Sequence, residues 1–455
     1  MGKEFPLESV SVPKIKTEYR CIQTRIPVPE SIKIIEGMRN LEPRSMSGQP
    51  PVIWEKGEGF CIHDPYGNKW IDFSSGVLVA ASGYGHPDIV KSIINMANNG
   101  LYHAYAFPTN VRAKLVEKIV SIAPEPLNKV FLLTTGAEAV ECCIKLARTY
   151  GLRNFGKDKN ILLTYENAFH GRTMGAQMAG GNSSLKEWMG EMDPRFQQVP
   201  FPDGFRNKDI SFKGFEIELE KRNIDPKNVC ALMAETYQGG NASMWTPEYG
   251  KAMRKWCDEN NILLILDEVQ ASFGRTGRWF AFEHLGIMPD LVATGKGISG
   301  GMPLSAVLGR SDVMDQFGPG EMTSTHSANP ICSTAALANI NVIENENLLE
   351  NVNMLAPVLY EGAKDIQKSS NDFIGHIESV GLVAGLQFVE PGTIDPKPEL
   401  AWNVVKSSVE SGVMLFAPVG IMGSTVKINP PLNITKEALL EGLSVVKEVV
   451  AKLSF

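Results

Sequence analysis

The chain has 455 residues, 43% of them apolar and 21% charged, with a net charge of -7; these are the proportions of a soluble globule too long for one core, so two lobes are expected. The acidic balance, with no basic stripe, argues against nucleic acid or an anionic membrane as main partner, and seven cysteines without a CxxC pair point to reduced thiols in a cytoplasmic protein and to no metal site. No apolar run approaches the roughly 18 residues that span a bilayer, and the opening MGKEFPLESV lacks the apolar core of a signal peptide and carries Pro6 where a myristoylation signal wants Ser or Thr.

The first 50 or so residues are rich in Pro and charge, show no clear period, and predict an arm that wraps another lobe or subunit. GFCIHDPYGNKWIDF then predicts a β-hairpin with Asp64, Pro65, Tyr66, Gly67 and Asn68 as its turn. From about residue 110 to 330 the strand-like runs KVFLLTT, NILLTYE, VCALMAE, ILLILDE, LVAT and SAVLG alternate with helical stretches. That alternation predicts an α/β fold: a mostly parallel sheet with helices on both faces and ligands at the carboxyl ends of its strands. A helix over residues 335–349 leads into a mixed carboxy-terminal lobe, with strands near IESVGLVAGLQFV and STVKINP. The expected domains are an arm with part of a small domain (1–70), a large domain (71–335) and the remaining small α/β domain (336–455).

The strand ends carry the chemistry. In TTGAEAVECCIKLAR a turn becomes a helix, which puts the N–H groups of Gly136 and Ala137 where an anion such as phosphate binds; the plainer reading is that Thr135 merely caps the helix. In NAFHGRT, Phe169 can stack on a flat ring and Arg172 can reach a carboxylate, although singly Phe169 reads as core and His170 as a satisfied structural histidine. Asp267 and Gln270 follow the apolar run ILLIL, and Lys296 follows LVAT among Gly295, Gly297, Gly300 and Gly301. A strand ending in Asp-Glu also fits a Walker B segment, but no GxxxxGK followed by Ser or Thr occurs in the chain. Pyridoxal phosphate needs a buried carboxylate to keep its ring nitrogen protonated and a lysine amine to form a Schiff base, and Asp267 and Lys296 supply that pair. Gln270 can donate a hydrogen bond to the phenolic oxygen of the ring.

Through TTGAEAVECCIKLAR, FHGRT, LDEVQASFGRTG, PDLVATGKGISGGMPLSAV and THSANPICSTAALA, from about residue 59 to 432, the chain resembles the class III aminotransferases. The resemblance implies Lys296 as Schiff-base lysine, Asp267 as pyridinium partner, Gln270 on the phenolic oxygen, Phe169 as ring stack, Gly136 and Ala137 on the phosphate, and Glu235 as an acid near the ring. The plainer reading of Glu235 is an ordinary strand-end carboxylate. Thr325 matches the threonine that reaches the phosphate bound in a neighbouring subunit, which implies a homodimer with shared active sites, or a tetramer built from it. The implied fold is that of the pyridoxal phosphate transferases of fold type I, and the implied reaction is a ping-pong exchange with a keto acid, 2-oxoglutarate or pyruvate.

Two positions depart from the 4-aminobutyrate and ornithine enzymes of that family. Their carboxy-terminal arginine aligns with Lys427, and their gating glutamate aligns with Gly240. An ammonium lacks the planar fork that grips a carboxylate, and a glycine opens space. The expected donor therefore carries its amine away from any free α-carboxylate: a β- or ω-amino acid, with Arg172 on its distal carboxylate, or a β-aminoacyl thioester such as 3-aminobutyryl-coenzyme A, with Lys427 meeting phosphate or carbonyl groups. A racemase or aminomutase of the same fold would keep every cofactor residue, and a non-catalytic binding protein is disfavoured by the presence of both Asp267 and Lys296.

Overall fold

The computed structural model describes residues 3–453, which divide into a continuous unit, Pro87–Leu349, and a divided unit, residues 3–86 with 350–453. The continuous unit is built on seven strands: β1 (Lys129–Leu133), β2 (Ile161–Tyr165), β3 (Phe196–Val199), β4 (Val229–Glu235), β5 (Leu263–Asp267), β6 (Leu291–Thr294) and β7 (Ser305–Gly309). Their spatial order is β1-β7-β6-β5-β4-β2-β3, and all are parallel except β7, which runs against both β1 and β6. All seven residues of β4 and all five of β5 are buried. Strands covered on both faces need no apolar-polar alternation, which is why these runs read as continuous apolar stretches. The edge strand β3, FQQV, escapes the sequence pattern because its two glutamines stay partly exposed.

Helix α1 (Gly136–Phe155) packs Ala139, Val140, Cys143, Leu146 and Ala147 against Leu162, Ala231, Ile265 and Ala293 of the sheet. The helix expected over 335–349 instead spans Pro330–Asn345. Asn329 caps it by accepting from the N–H groups of Ile331 and Cys332, and Pro330 fits the first turn, where no amide hydrogen is needed. A separate helix, Leu348–Lys368, follows Asn347 at φ +53. Strand polarity brings segments 134–138, 167–172, 235–240, 267–270 and 295–298 to the carboxyl ends of β1, β2, β4, β5 and β6.

In the divided unit Cys61–His63 and Lys69–Asp72 form the expected hairpin. Asp64 closes its turn by accepting from the N–H groups of Tyr66 (2.9 Å) and Asn68 (2.8 Å), and Gly67 takes φ +86. The carboxy-terminal strand Val413–Met414 adds in parallel to Lys69–Asp72, so this unit needs both ends of the chain. The arm, expected to have no clear period, contains a helix, Pro29–Leu41, whose Ile34, Met38 and Leu41 are spaced one turn apart and stay exposed. A second, antiparallel sheet joins Ile374–Val380, Val383–Phe388 and Thr425–Ile428. Among the described residues no helix is long and apolar enough to cross a membrane.

Candidate active site

Asp267 closes β5 with its side chain 5% exposed, and its Oδ2 lies 2.8 Å from Nδ1 of His170, whose side chain is fully buried. Its Oδ1 accepts from the Val269 N–H at 3.0 Å. Burial of the imidazole works against its charged form, but the hydrogen bond and charge of Asp267, helped by Glu235, prevail and hold His170 above the ordinary histidine value. The ring's other nitrogen, Nε2, is buried without a hydrogen-bond partner among the described residues. His170 is thus a partner of Asp267 and more than a packed histidine. Its place beside Phe169 in FHGRT was the available signal, but nothing local in the sequence links residues 170 and 267.

Glu235 ends β4 in register with Asp267. Its Oε2 accepts from the Phe169 N–H at 2.9 Å and its Oε1 from the Gly239 N–H at 2.8 Å, so one buried carboxylate ties two loops together. Burial pushes this carboxyl up to about 7; the charge of His170 opposes the rise and that of Asp267 adds to it. Phe169, held by its backbone, is 39% exposed, which rules out the core reading of that residue. The Arg172 guanidinium sits 5.4 Å from the ring centroid.

At the start of α1, Thr135 and Glu138 form a reciprocal capping box: the Thr135 hydroxyl accepts from the Glu138 N–H, and the Glu138 carboxylate accepts from the Thr134 and Thr135 N–H groups. The cap and the anion site are compatible, since the N–H groups of Gly136 and Ala137 take no part in that box. A side chain at Gly136 would meet Val269 at 2.8 Å, and one at Gly171 would meet Ala137 at 2.8 Å. Val269 therefore lies directly against the helix start. A side chain at Gly295 would reach the same Val269 at 3.3 Å, which brings the lysine-bearing turn alongside.

Lys296 follows Gly295 in left-handed backbone, φ +43, a conformation that a non-glycine residue holds only when its surroundings impose it. Burial pushes its ammonium below the ordinary lysine value, and the carboxylates of Asp267 and Glu235 pull it back. Gln270 is partly buried; its backbone carbonyl accepts from the Tyr237 hydroxyl at 2.9 Å, and its side chain lies where a Cβ on Gly239 would stand.

The structure thus assembles Gly136, Ala137, Phe169, His170, Glu235, Asp267, Gln270 and Lys296 at the carboxyl ends of the strands, with Arg172 beside Phe169. Gly240 lies partly exposed in the turn after β4. Thr325 is exposed ahead of helix Pro330–Asn345, next to His326, whose ring packs on His103. Lys427 belongs to the divided unit; it stands in strand Thr425–Ile428, opposite Gly385, and is 2% exposed. The assembled residues fit pyridoxal phosphate: a helix start for its phosphate, an open aromatic face for its ring, a buried carboxylate for its nitrogen, and one desolvated lysine for its aldehyde.

Residues 44–450 match the family described as Aminotransferase class-III. The acetylornithine aminotransferase of Caldanaerobacter subterraneus subsp. tengcongensis is 34% identical over 407 residues, 89% of this chain and 96% of that protein. The alanine/serine racemase of Pyrococcus horikoshii is 32% identical over 464 residues, 98% of this chain and 96% of that protein. Among solved structures, the ω-transaminase of Pseudomonas jessenii in complex with PMP superposes with a TM-score of 0.82 at 25% identity, covering 92% of this chain and 97% of that one. A family match over residues 44–450, together with relatives aligned along nearly their whole lengths, establishes that the chain belongs to the class III aminotransferases, which use pyridoxal phosphate.

Proposed function

We propose that this aminotransferase takes its amino group from a β- or ω-amino acid, or from a β-aminoacyl thioester such as 3-aminobutyryl-coenzyme A, and passes it to 2-oxoglutarate or pyruvate. What carries this reading is the pair Gly240 and Lys427, at the positions that align with the gating glutamate and the carboxy-terminal arginine of the 4-aminobutyrate and ornithine enzymes. A buried Lys427 offers a compact charge and no bidentate grip, so a free α-carboxylate is poorly served there. Arg172, on its exposed loop, is the cation for a distal carboxylate.

Bound pyridoxal phosphate supplies an aldehyde that condenses with amines and a protonated ring that withdraws electrons from the substrate carbon. The chain does the rest. Gly136 and Ala137 would hold the phosphate at the start of α1, Phe169 would cover one ring face, and Asp267, paired with His170 at 2.8 Å, would hold the proton on the ring nitrogen. Gln270 donates to the phenolic oxygen, and Glu235 fixes Phe169 and the Gly239 turn. Lys296 Nζ, desolvated beside Asp267 and Glu235, would be the general acid and base that holds and moves the proton at the substrate's reacting carbon. Desolvation favours its neutral, basic form for that task.

A second copy of the chain completes the site in this proposal. Thr325 stands exposed between Thr323, whose hydroxyl accepts from Tyr105, and Asn329, which donates to the Tyr102 carbonyl, in a segment whose Tyr102 is 58% exposed. Aromatic surface of that kind favours a homodimer, or a tetramer of two such dimers, over an isolated protomer. Cytoplasmic residence accords with seven unbridged cysteines.

A donor panel tests the reading: each amine is mixed with holoenzyme, and the half-reaction is followed by the cofactor absorbance. Turnover confined to α-amino acids would refute the inference from Gly240 and Lys427. The 32% identity with a racemase supports one competing activity, isomerisation without an acceptor. Chiral analysis of an amino acid incubated with enzyme and no keto acid decides it.

A further inference from the structure

We propose that Glu268 is a positioning residue for Gln270: it clasps both ends of the buried loop 268–282 and so fixes Gln270 at the cofactor's phenolic oxygen. The proposal rests on the assignment of Gln270 to that oxygen made above. Successive residues of a strand face opposite sides of the sheet. Asp267 turns to His170, so Glu268, still paired through its N–H to the Ala293 carbonyl at 2.8 Å, turns to the other side. There its Oε1 accepts from the Thr236 hydroxyl at 2.6 Å and the Phe282 N–H at 2.8 Å, and its Oε2 accepts from the Ala281 N–H at 2.8 Å.

The backbone of the same residue holds the other end of the loop. Its carbonyl accepts from the N–H groups of Ala271 (3.1 Å) and Ser272 (3.0 Å) and from the Ser272 hydroxyl (2.6 Å). The chain that leaves Glu268 therefore returns to it at Ala281 and Phe282. Between these points Ala271, Ser272, Phe273, Arg275 and Thr276 are buried outside any helix or strand. A buried irregular segment cannot rely on water for its polar groups, so its shape depends on such internal acceptors. Phe273 adds a second demand, since it is held at φ +54 with its N–H on the Trp279 carbonyl at 2.7 Å.

Gln270 is in the first turn of this loop. Its carbonyl is pinned by the Tyr237 hydroxyl and its side chain rests against Gly239. Thr236, Tyr237 and Gly239 all belong to the segment after β4, so the carboxylate of Glu268 and the phenol of Tyr237 lock that segment to the loop at two points. Burial pushes the Glu268 carboxyl up to about 7, while the Thr236 hydroxyl and the two amides draw it back, as three donors aimed at one carboxylate should.

The test uses E268Q, T236V, T236S and Q270A as holoenzymes. Three measurements are made on each: amide hydrogen exchange across residues 270–285, the pH titration of the bound-cofactor absorbance band, and kcat and KM of the donor half-reaction. A carboxamide offers one acceptor oxygen in place of two, so E268Q should speed exchange at 281–282, move the titration in the direction of Q270A, and lower kcat roughly tenfold with KM for the donor unchanged. T236V should do the same to a smaller degree and T236S should restore wild-type behaviour; this pair decides the matter should E268Q fail to fold. Faster exchange at 281–282 with a wild-type titration and kcat in E268Q and T236V would overturn the proposal, because the clasp would then be structural only. Unchanged exchange at 281–282 would overturn it as well. A titration moved by Q270A but by neither E268Q nor T236V removes the clasp alone, whereas one that Q270A leaves in place removes the assignment of Gln270 itself.

Discussion

Replacing Asp267 by Asn isolates the charge on which the site depends while keeping its shape. In the wild-type protein Oδ1 accepts from the Val269 N–H at 3.0 Å and Oδ2 faces His170 Nδ1 at 2.8 Å, both in a buried setting. The D267N carboxamide can keep the first bond through its oxygen, but it then turns a neutral NH2 toward the imidazole. Two charge-assisted hydrogen bonds weaken together: the one to His170 and the one to the protonated ring nitrogen of the cofactor. Each is worth about 1.5–3 kcal/mol. Loss of the ring-nitrogen bond in the transition state alone slows the half-reaction roughly 10- to 150-fold.

Stability carries a separate signature. His170 is more basic folded than unfolded, chiefly through Asp267, so the pairing contributes stability that is complete below the ordinary histidine value of about 6.5 and disappears as pH rises through the raised folded value. The stability gap between wild type and D267N should therefore be widest in acid and narrow in alkali. Stopped-flow absorbance of the half-reaction and urea unfolding across pH measure the two effects. A half-reaction within about threefold of wild type, or a stability gap independent of pH, would refute the reasoning.

Borohydride reduction of the holoenzyme followed by peptide mapping should label residue 296 alone, and K296A should bind cofactor without label and slow the half-reaction roughly 10²- to 10⁴-fold; label at another lysine would sink the assignment. E235Q removes a carboxyl that burial raises from 4.5 to about 7, so wild type, but not the variant, should lose stability as pH climbs through about 7, by at most roughly 3 kcal/mol at about 1.36 kcal/mol per pH unit; parallel pH profiles of the two proteins would contradict it. T325A should leave the oligomer intact by analytical ultracentrifugation yet weaken cofactor retention roughly tenfold or more, the loss of one hydrogen bond to a phosphate; unchanged retention would remove Thr325 from the site.

The strands that build the site were legible because burial on both faces writes itself as an unbroken apolar run: VCALMAE and LLILD need no partner to be recognised. Residue chemistry at their carboxyl ends was legible for the same reason, since Asp267, Glu235 and Lys296 are conspicuous where an apolar run stops. Elements stabilised by their neighbours were not. The edge strand FQQV carries too little apolar pattern to stand out, the helix Pro29–Leu41 is masked by its Pro- and charge-rich surroundings although Ile34, Met38 and Leu41 are spaced for one, and the start of Pro330–Asn345 is set by an Asn cap. The contact between His170 and Asp267 spans 97 positions of chain, and the clasp of Glu268 on Ala281 and Phe282 spans 13 and 14. Such pairings are three-dimensional facts: a hydrogen bond is decided by where two atoms come to rest within about 3 Å, and that depends on strand order and packing that no local pattern encodes. The exposure of Phe169 and the burial of Lys427 belong to the same class, because an aromatic or a lysine reads identically in sequence whether the fold covers it or leaves it open.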